Sequence, residues 1–146
     1  MSEKPKIPYW HLWADEKGIS HHARCSLDDF DLKPIQPGTA PQWQGQKSTA
    51  TMTTLMTVLP VGWVGTWHEN PRPQWIIPLT GRWFVEAMDG SRAEMGPGEL
   101  AFGGDQNCAE VDGKRGHRSG AVGDEPAVLM VVQFEDGAPP APCALR

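Results

Sequence analysis

Two blocks of the sequence hold side chains whose types and spacing can do chemistry. The first is Gly62-x5-His68-x-Asn70-x3-Gln74-x6-Gly81, and the second is Gly96-Pro97-Gly98-Glu99-Leu100 followed by Gly116-His117. An unperturbed imidazole titrates near pH ~6.5, so His68 and His117 can move protons at neutral pH. The amides of Asn70 and Gln74 can orient a carbonyl or carboxamide, or stabilise an enolate as it forms. That set suits enolisation, isomerisation, dehydration or lyase chemistry, which need proton transfer and no redox centre.

These residues must be positioned by strands. Residues 63–70 read as an extended run, and successive side chains of a strand point to opposite faces. His68 and Asn70 therefore share a face, with Thr66 and Val64 below them, while Trp63, Trp67 and Glu69 face away. Gln74, after the Pro71–Pro73 corner, returns onto the same interior from the next strand. His117 is expected to arrive from the opposite side. The other strand signals are Thr49 to Leu59, rich in Thr, and Gln74 to Leu79 and Arg82 to Met88 on either side of Thr80-Gly81. Asp89-Gly90 is a hairpin turn signal leading to Arg92 to Met95, and Gly96-Pro97-Gly98 turns into Glu99 to Phe102. The most apolar run, Ala127 to Phe134, reads as a central strand. Residues 19–33 are ambiguous between a strand and a capped helical turn, 34–47 read as an irregular connection, 103–116 as a polar loop and 136–146 as a loose tail.

Composition sets the frame around those strands. The chain has 146 residues, with 16 glycines and 14 prolines, about a fifth of the total. Interior proline costs a helix about 3 kcal/mol and glycine about 1. Helical bundles are thereby excluded, and doubly wound α/β folds lack room for their helices. An all-β single domain of short strands remains. The net charge of −5, with no basic run longer than two, argues against nucleic acid and anionic membrane as partners. There is no apolar run long enough for a membrane helix, and Met1-Ser2-Glu3-Lys4-Pro5 carries no hydrophobic signal core, so a cytoplasmic location is expected. Cys25, Cys108 and Cys143 fit neither a disulfide framework nor a zinc clip and read as idle or buried thiols.

In order and spacing the two blocks resemble the two motifs of the cupin superfamily. The spacing of the first motif is matched at every step; the second is matched loosely, with a longer loop before His117 and Ala121 where an Asn would fall. The resemblance covers about residues 50–135. It implies an antiparallel jelly-roll β-barrel, placed over 49–135; residues 1–48 read as an N-terminal arm and connection and 136–146 as a flexible tail. It also implies a divalent metal in the barrel mouth, normally held by three His and one Glu. Carried over position by position, the ligands would be His68, Asn70, Gln74 and His117, which departs from the pattern at two of four places.

With no carboxylate in that shell, a divalent ion would keep its charge uncompensated in a low-dielectric cavity, which is costly. The expectation is therefore no cofactor, or one weakly held Fe, Mn, Cu, Ni or Zn ion. Asp105, Cys108 or Glu110 could complete a shell, but their loop reads as solvated, and Glu69 faces away. Of the seven Trp residues, Trp83 shares the inward face with Val85 and Ala87 and is expected in the cavity, favouring a planar substrate. Trp75 is expected to pack on the outer side of its sheet or at a subunit contact. Trp10, Trp13 and Trp43 are expected to cover a barrel face, and Arg72 and Arg82 to be solvated.

The functional expectation is a small-molecule isomerase, dehydratase or lyase acting on a planar, carbonyl-bearing or aromatic metabolite. Its catalytic residues would be His68, His117 and Gln74, and its substrate-binding residues Asn70, Trp83 and Thr66. The enzyme would be a homodimer. Two alternatives stand beside it: an Fe-, Mn- or Cu-dependent cupin dioxygenase built on His68, His117 and Gln74, and a non-catalytic ligand-binding cupin.

Overall fold

Alternation of apolar and polar residues organises this chain into strands throughout, and the computed structural model describes residues 3–45 and 50–145. Eleven strands are found among the described residues: β1 (Ile7–Ala14), β2 (Ser20–Leu27), β3 (Phe30–Pro34), β4 (Pro41–Gly45), β5 (Met52–Leu59), β6 (Gln74–Thr80), β7 (Arg82–Ala87), β8 (Arg92–Met95), β9 (Leu100–Gly104), β10 (His117–Val122) and β11 (Ala127–Phe134). No helix occurs among the described residues. A six-stranded sheet runs in the order β2-β1-β9-β6-β11-β5, a three-stranded sheet β10-β7-β8, and a separate hairpin pairs β3 with β4. β1 and β9 are parallel, so the large sheet is mixed. The sheets do not close into one hydrogen-bonded barrel.

The sequence explains much of this order. In β11 the side chains of Ala127, Leu129 and Val131 are buried, and β11 lies between β5 and β6, which places the most apolar run in the interior of the sheet. β8 alternates strictly, with Ala93 and Met95 buried between exposed Arg92 and Glu94. Asp89-Gly90 makes the β7–β8 hairpin, with Gly90 at φ 86°. Leu12, Leu59, Ile76, Leu129 and Val131 of the large sheet meet Trp83, Val85 and Met95 of the small one in a single apolar core.

Several expectations change. The residues taken as an N-terminal arm supply β1, an inner strand of the main sheet with Tyr9 and His11 fully buried. The ambiguous stretch 19–33 is β2 and the start of β3, and the supposed irregular connection contains β4. The strand expected from Thr49 begins at Met52, and Thr49 itself lies outside the described residues. The extended run 63–70 joins β10 only through isolated bridges, Val64 to Gly120 and His68 to His117, so it has no strict two-residue alternation.

The C-terminal segment, expected as a loose tail, is tied down as well. Cys143 is disulfide-bonded to Cys25 across 118 residues, leaving only Cys108 free. Leu145 packs on a second cluster formed by Tyr9, Cys25, Leu27 and Phe102. Trp75 joins that cluster edge-on, with ring centroids 5.2 Å from Tyr9 and 5.0 Å from Phe102, so it packs against its neighbours on β1 and β9. Spacing alone could not reveal the bridge, because its partners are far apart in sequence and come together only when β2 and the tail share one face.

The same closure fixes the charge state of His11. Its Nδ1 accepts a hydrogen bond from the Cys143 backbone N–H at 3.1 Å, and burial pulls its pKa down to about 4. A folded pKa below the unfolded value of ~6.5 contributes stability that is complete above pH ~6.5 and is lost as pH falls towards ~4. We expect wild-type stability to fall between those values by up to ~3 kcal/mol from His11 alone. In His11→Gln, which keeps an acceptor but does not titrate, the fall should be shallower in pH-dependent urea denaturation; equal slopes would contradict this assignment.

Candidate functional site

A cavity of about 200 Å³ lies between the two sheets. Its floor is apolar, with Leu12, Ile76, Val85 and Leu129 among the residues that line it. His68, Asn70, Gln74 and His117 all line it, and so does Trp83. Thr66 is not on the wall; its backbone carbonyl instead accepts from Nδ1 of His68 at 2.7 Å. Trp63, expected to face away, lines the cavity, because the irregular run 63–70 does not hold strand parity.

His68 and His117 are neighbours rather than opposites. Each backbone N–H donates to the other's carbonyl at 2.9 Å, and the rings lie 4.7 Å apart at their centroids. Gly116 permits this approach: its φ is 74°, and a Cβ there would run into the His68 carbonyl. His68 stands exposed at the mouth, whereas His117 is buried.

The residue that organises the polar wall is Asp105. It is completely buried, not solvated as its loop composition implies. Its Oδ2 accepts from Nδ1 of His117 at 2.7 Å, and its Oδ1 accepts from the backbone N–H and the Nδ2 of Asn70 at 2.9 and 2.7 Å. Asn70 Oδ1 in turn accepts from Gln74 Nε2 at 2.6 Å, and Gln74 Oε1 from Gln133 Nε2 at 2.8 Å. Burial by itself raises a carboxyl pKa, but the His117 and Asn70 donors outweigh it, and Asp105 is held below the ordinary carboxylate range. Gly103 on β9 makes room for the Asn70 amide, since a Cβ there would strike it.

The 105–116 loop is anchored from both ends of this network. Glu69 accepts from the Cys108 backbone N–H at 2.8 Å, which turns it away from the cavity as expected from its parity. The Cys108 thiol donates to the Asp105 carbonyl at 3.1 Å. Burial, ahead of the nearby Asp105 charge, pushes that thiol up to about 11, so it is not a thiolate at neutral pH.

A second cavity residue absent from the sequence reading is His22 on β2. Its Nδ1 lies 3.0 Å from Ser91 Oγ, whose own proton is given to Asp89 at 2.6 Å, so His22 is the donor in that contact. Burial pulls its pKa down to about 4, which makes it neutral at pH 7. Trp10 also lines the cavity and meets His22 edge-on at 5.8 Å. The sequence expected Trp10 on a barrel face, and for His22 the ambiguous stretch 19–33 did not say which sheet β2 would join.

The metal implied by the cupin resemblance can be tested against these donors. The oxygens of Asn70 and Gln74 already accept hydrogen bonds from neighbouring amides, and both oxygens of Asp105 are spent on His117 and Asn70. Among the described residues no three His, Cys, Asp or Glu side chains converge as a ligand group. The residues therefore do not fit a three- or four-ligand divalent site.

No family model matches the chain, and no curated protein matches it either.

Replacing Asp105 tests how much of the wall rests on it. Asp105→Ala leaves the His117 and Asn70 donors unpaired in the interior and should cost about 3–5 kcal/mol. Asp105→Asn, which keeps one acceptor oxygen, should cost distinctly less. Equal losses below about 1 kcal/mol in urea denaturation would show that the network does not depend on the carboxylate.

Proposed function

We propose that the chain is a cupin-type jelly-roll enzyme whose reaction is a metal-independent proton transfer on a small planar metabolite, of the isomerase, dehydratase or lyase kind. The observation that carries this reading is the buried His117–Asp105 pair on the wall of the cavity. The carboxylate holds the proton of His117 on Nδ1, which leaves Nε2 as the basic atom. It also stabilises the imidazolium that forms when Nε2 takes a proton from substrate, the same logic by which an aspartate supports histidine in acyl-transfer triads.

Asn70 and Gln74 each commit one amide N–H to the network and have a second to offer. Those N–H groups would meet a substrate oxygen on which negative charge grows. His68, at the mouth and beside His117, is the second group able to carry the proton to another atom. Trp83 and Trp63 on the walls support a planar substrate.

The remaining parts of the reading rest on less specific features. The outward-facing Met52, Met56 and Val58 of edge strand β5 are exposed, which supports a homodimer with that apolar surface covered. A cytoplasmic location stays a proposal, and the Cys25–Cys143 bridge weighs against it because such bonds persist mainly in oxidising compartments.

Deuterium incorporation into cyclic ketones in D2O, followed by NMR, tests the reaction class. Wild-type protein should accelerate exchange, EDTA should not change the rate, and His117→Ala should lower it by about 10²–10⁴-fold. Equal rates for wild type and variant, or loss of exchange in EDTA, would reject the reading.

A further inference from the structure

The three cavity histidines share a feature that bears on what they bind. His68 gives its Nδ1 proton to the Thr66 carbonyl, His117 to Asp105, and His22 to Ser91 Oγ. A carbonyl and a carboxylate only accept, and the Ser91 proton is already donated to Asp89, so in each neutral imidazole Nδ1 carries the hydrogen. The atom left to meet a ligand is Nε2, with its lone pair bare, in all three.

The rest of the lining narrows the choice. Among the described residues, no Lys, Arg, Asp or Glu side chain lines this cavity. An anionic ligand would face three lone pairs with no cation to offset them, and His22, held down to about 4, stays neutral at pH 7. A cationic ligand would have no carboxylate to pair with, since both Asp105 oxygens are already spent on His117 and Asn70. Size sets the last bound: a cavity of ~150 Å³ holds benzene, and this one measures about 200 Å³. A single substituted six-membered ring fits that volume, and the lining includes Trp83 and Trp63 beside the three imidazoles.

We propose that the ligand is an uncharged, ring-sized molecule carrying at least two hydrogen-bond donors, such as ring hydroxyls, which it gives to Nε2 of His117 and of His68 or His22. This rests on the proposed function in one respect: Nε2 of His117, which meets the ligand here, is the atom that takes the substrate proton there. The recognition itself needs only the tautomers and the cavity.

Calorimetric titration of the full chain in EDTA at pH 7.5 separates the possibilities with three probes of one ring size. Resorcinol has two donors, 1,3-dimethoxybenzene has the same ring without donors, and benzoate is an anion. We expect resorcinol to bind one to one, and the other two at least tenfold more weakly. At least one of His22→Phe and His68→Phe, each checked for folding by circular dichroism, should weaken resorcinol and leave 1,3-dimethoxybenzene unchanged, and unchanged resorcinol binding in both would overturn the proposal; His68, exposed at the mouth, is the safer of the two for folding. Binding of 1,3-dimethoxybenzene or benzoate as tight as resorcinol would overturn the proposal, and so would no resorcinol binding at millimolar concentration or binding that disappears in EDTA. Resorcinol binding without proton exchange on any ketone would reject the catalytic reading and leave the ligand class standing. Exchange on a ring without donors, with no resorcinol binding, would do the reverse.

Discussion

A carboxylate buried without water must be met by donors on each oxygen, and this requirement shapes the polar side of the molecule. Asp105 is fully enclosed, and its donors come from three places: the His117 ring, the Asn70 backbone and the Asn70 amide. Leaving such a charge unpaired costs several kcal/mol. The segments carrying these groups are therefore drawn to one point, although they lie on different sheets and in a loop. Once Asn70 is oriented by Asp105, Gln74 must present its amide nitrogen to Asn70, and Gln133 must present its own to Gln74. One charge thus determines the orientation of three amides and one imidazole.

The two sheets hold that network in place from different directions. β10 brings His117, the start of β6 brings Gln74, and the end of β11 brings Gln133, while the apolar floor beneath them is shared by both sheets. The reciprocal backbone bonds between His68 and His117 stitch the irregular run 63–70 onto the small sheet. On the far side of the large sheet, the tail is fastened by the Cys25–Cys143 bridge over the cluster around Tyr9 and Phe102, so β1 and β9 are packed on both faces. Since Asp105 directly follows β9, that packing reaches to the polar wall of the cavity.

Much of this arrangement was legible in the residues, for physical reasons. Glycine and proline density excluded helices, turn signals located β7 and β8 closely, and the most apolar run marked β11. The spacing of His68, Asn70 and Gln74 was enough to gather them on one cavity with His117 and Trp83. What stayed hidden depended on contacts between distant segments. Asp105 sits among glycines and polar residues, a local composition of solvated loops, and only the donors brought by Asn70 and His117 make its burial tolerable. His22 gave no sign of its place because β2 reaches the cavity by pairing with β1 and lying beside the small sheet. Trp63 broke the parity rule because two isolated bridges do not enforce a strand's alternation.

The central claim is that Asp105 holds His117 as the Nδ1–H tautomer with a bare Nε2 towards the cavity. Nitrogen-15 NMR of the histidine rings at neutral pH reads this directly. We expect His117 to show a protonated Nδ1 and an unprotonated Nε2, and to lose that preference in Asp105→Ala. A His117 ring protonated on Nε2 with a bare Nδ1 would contradict it.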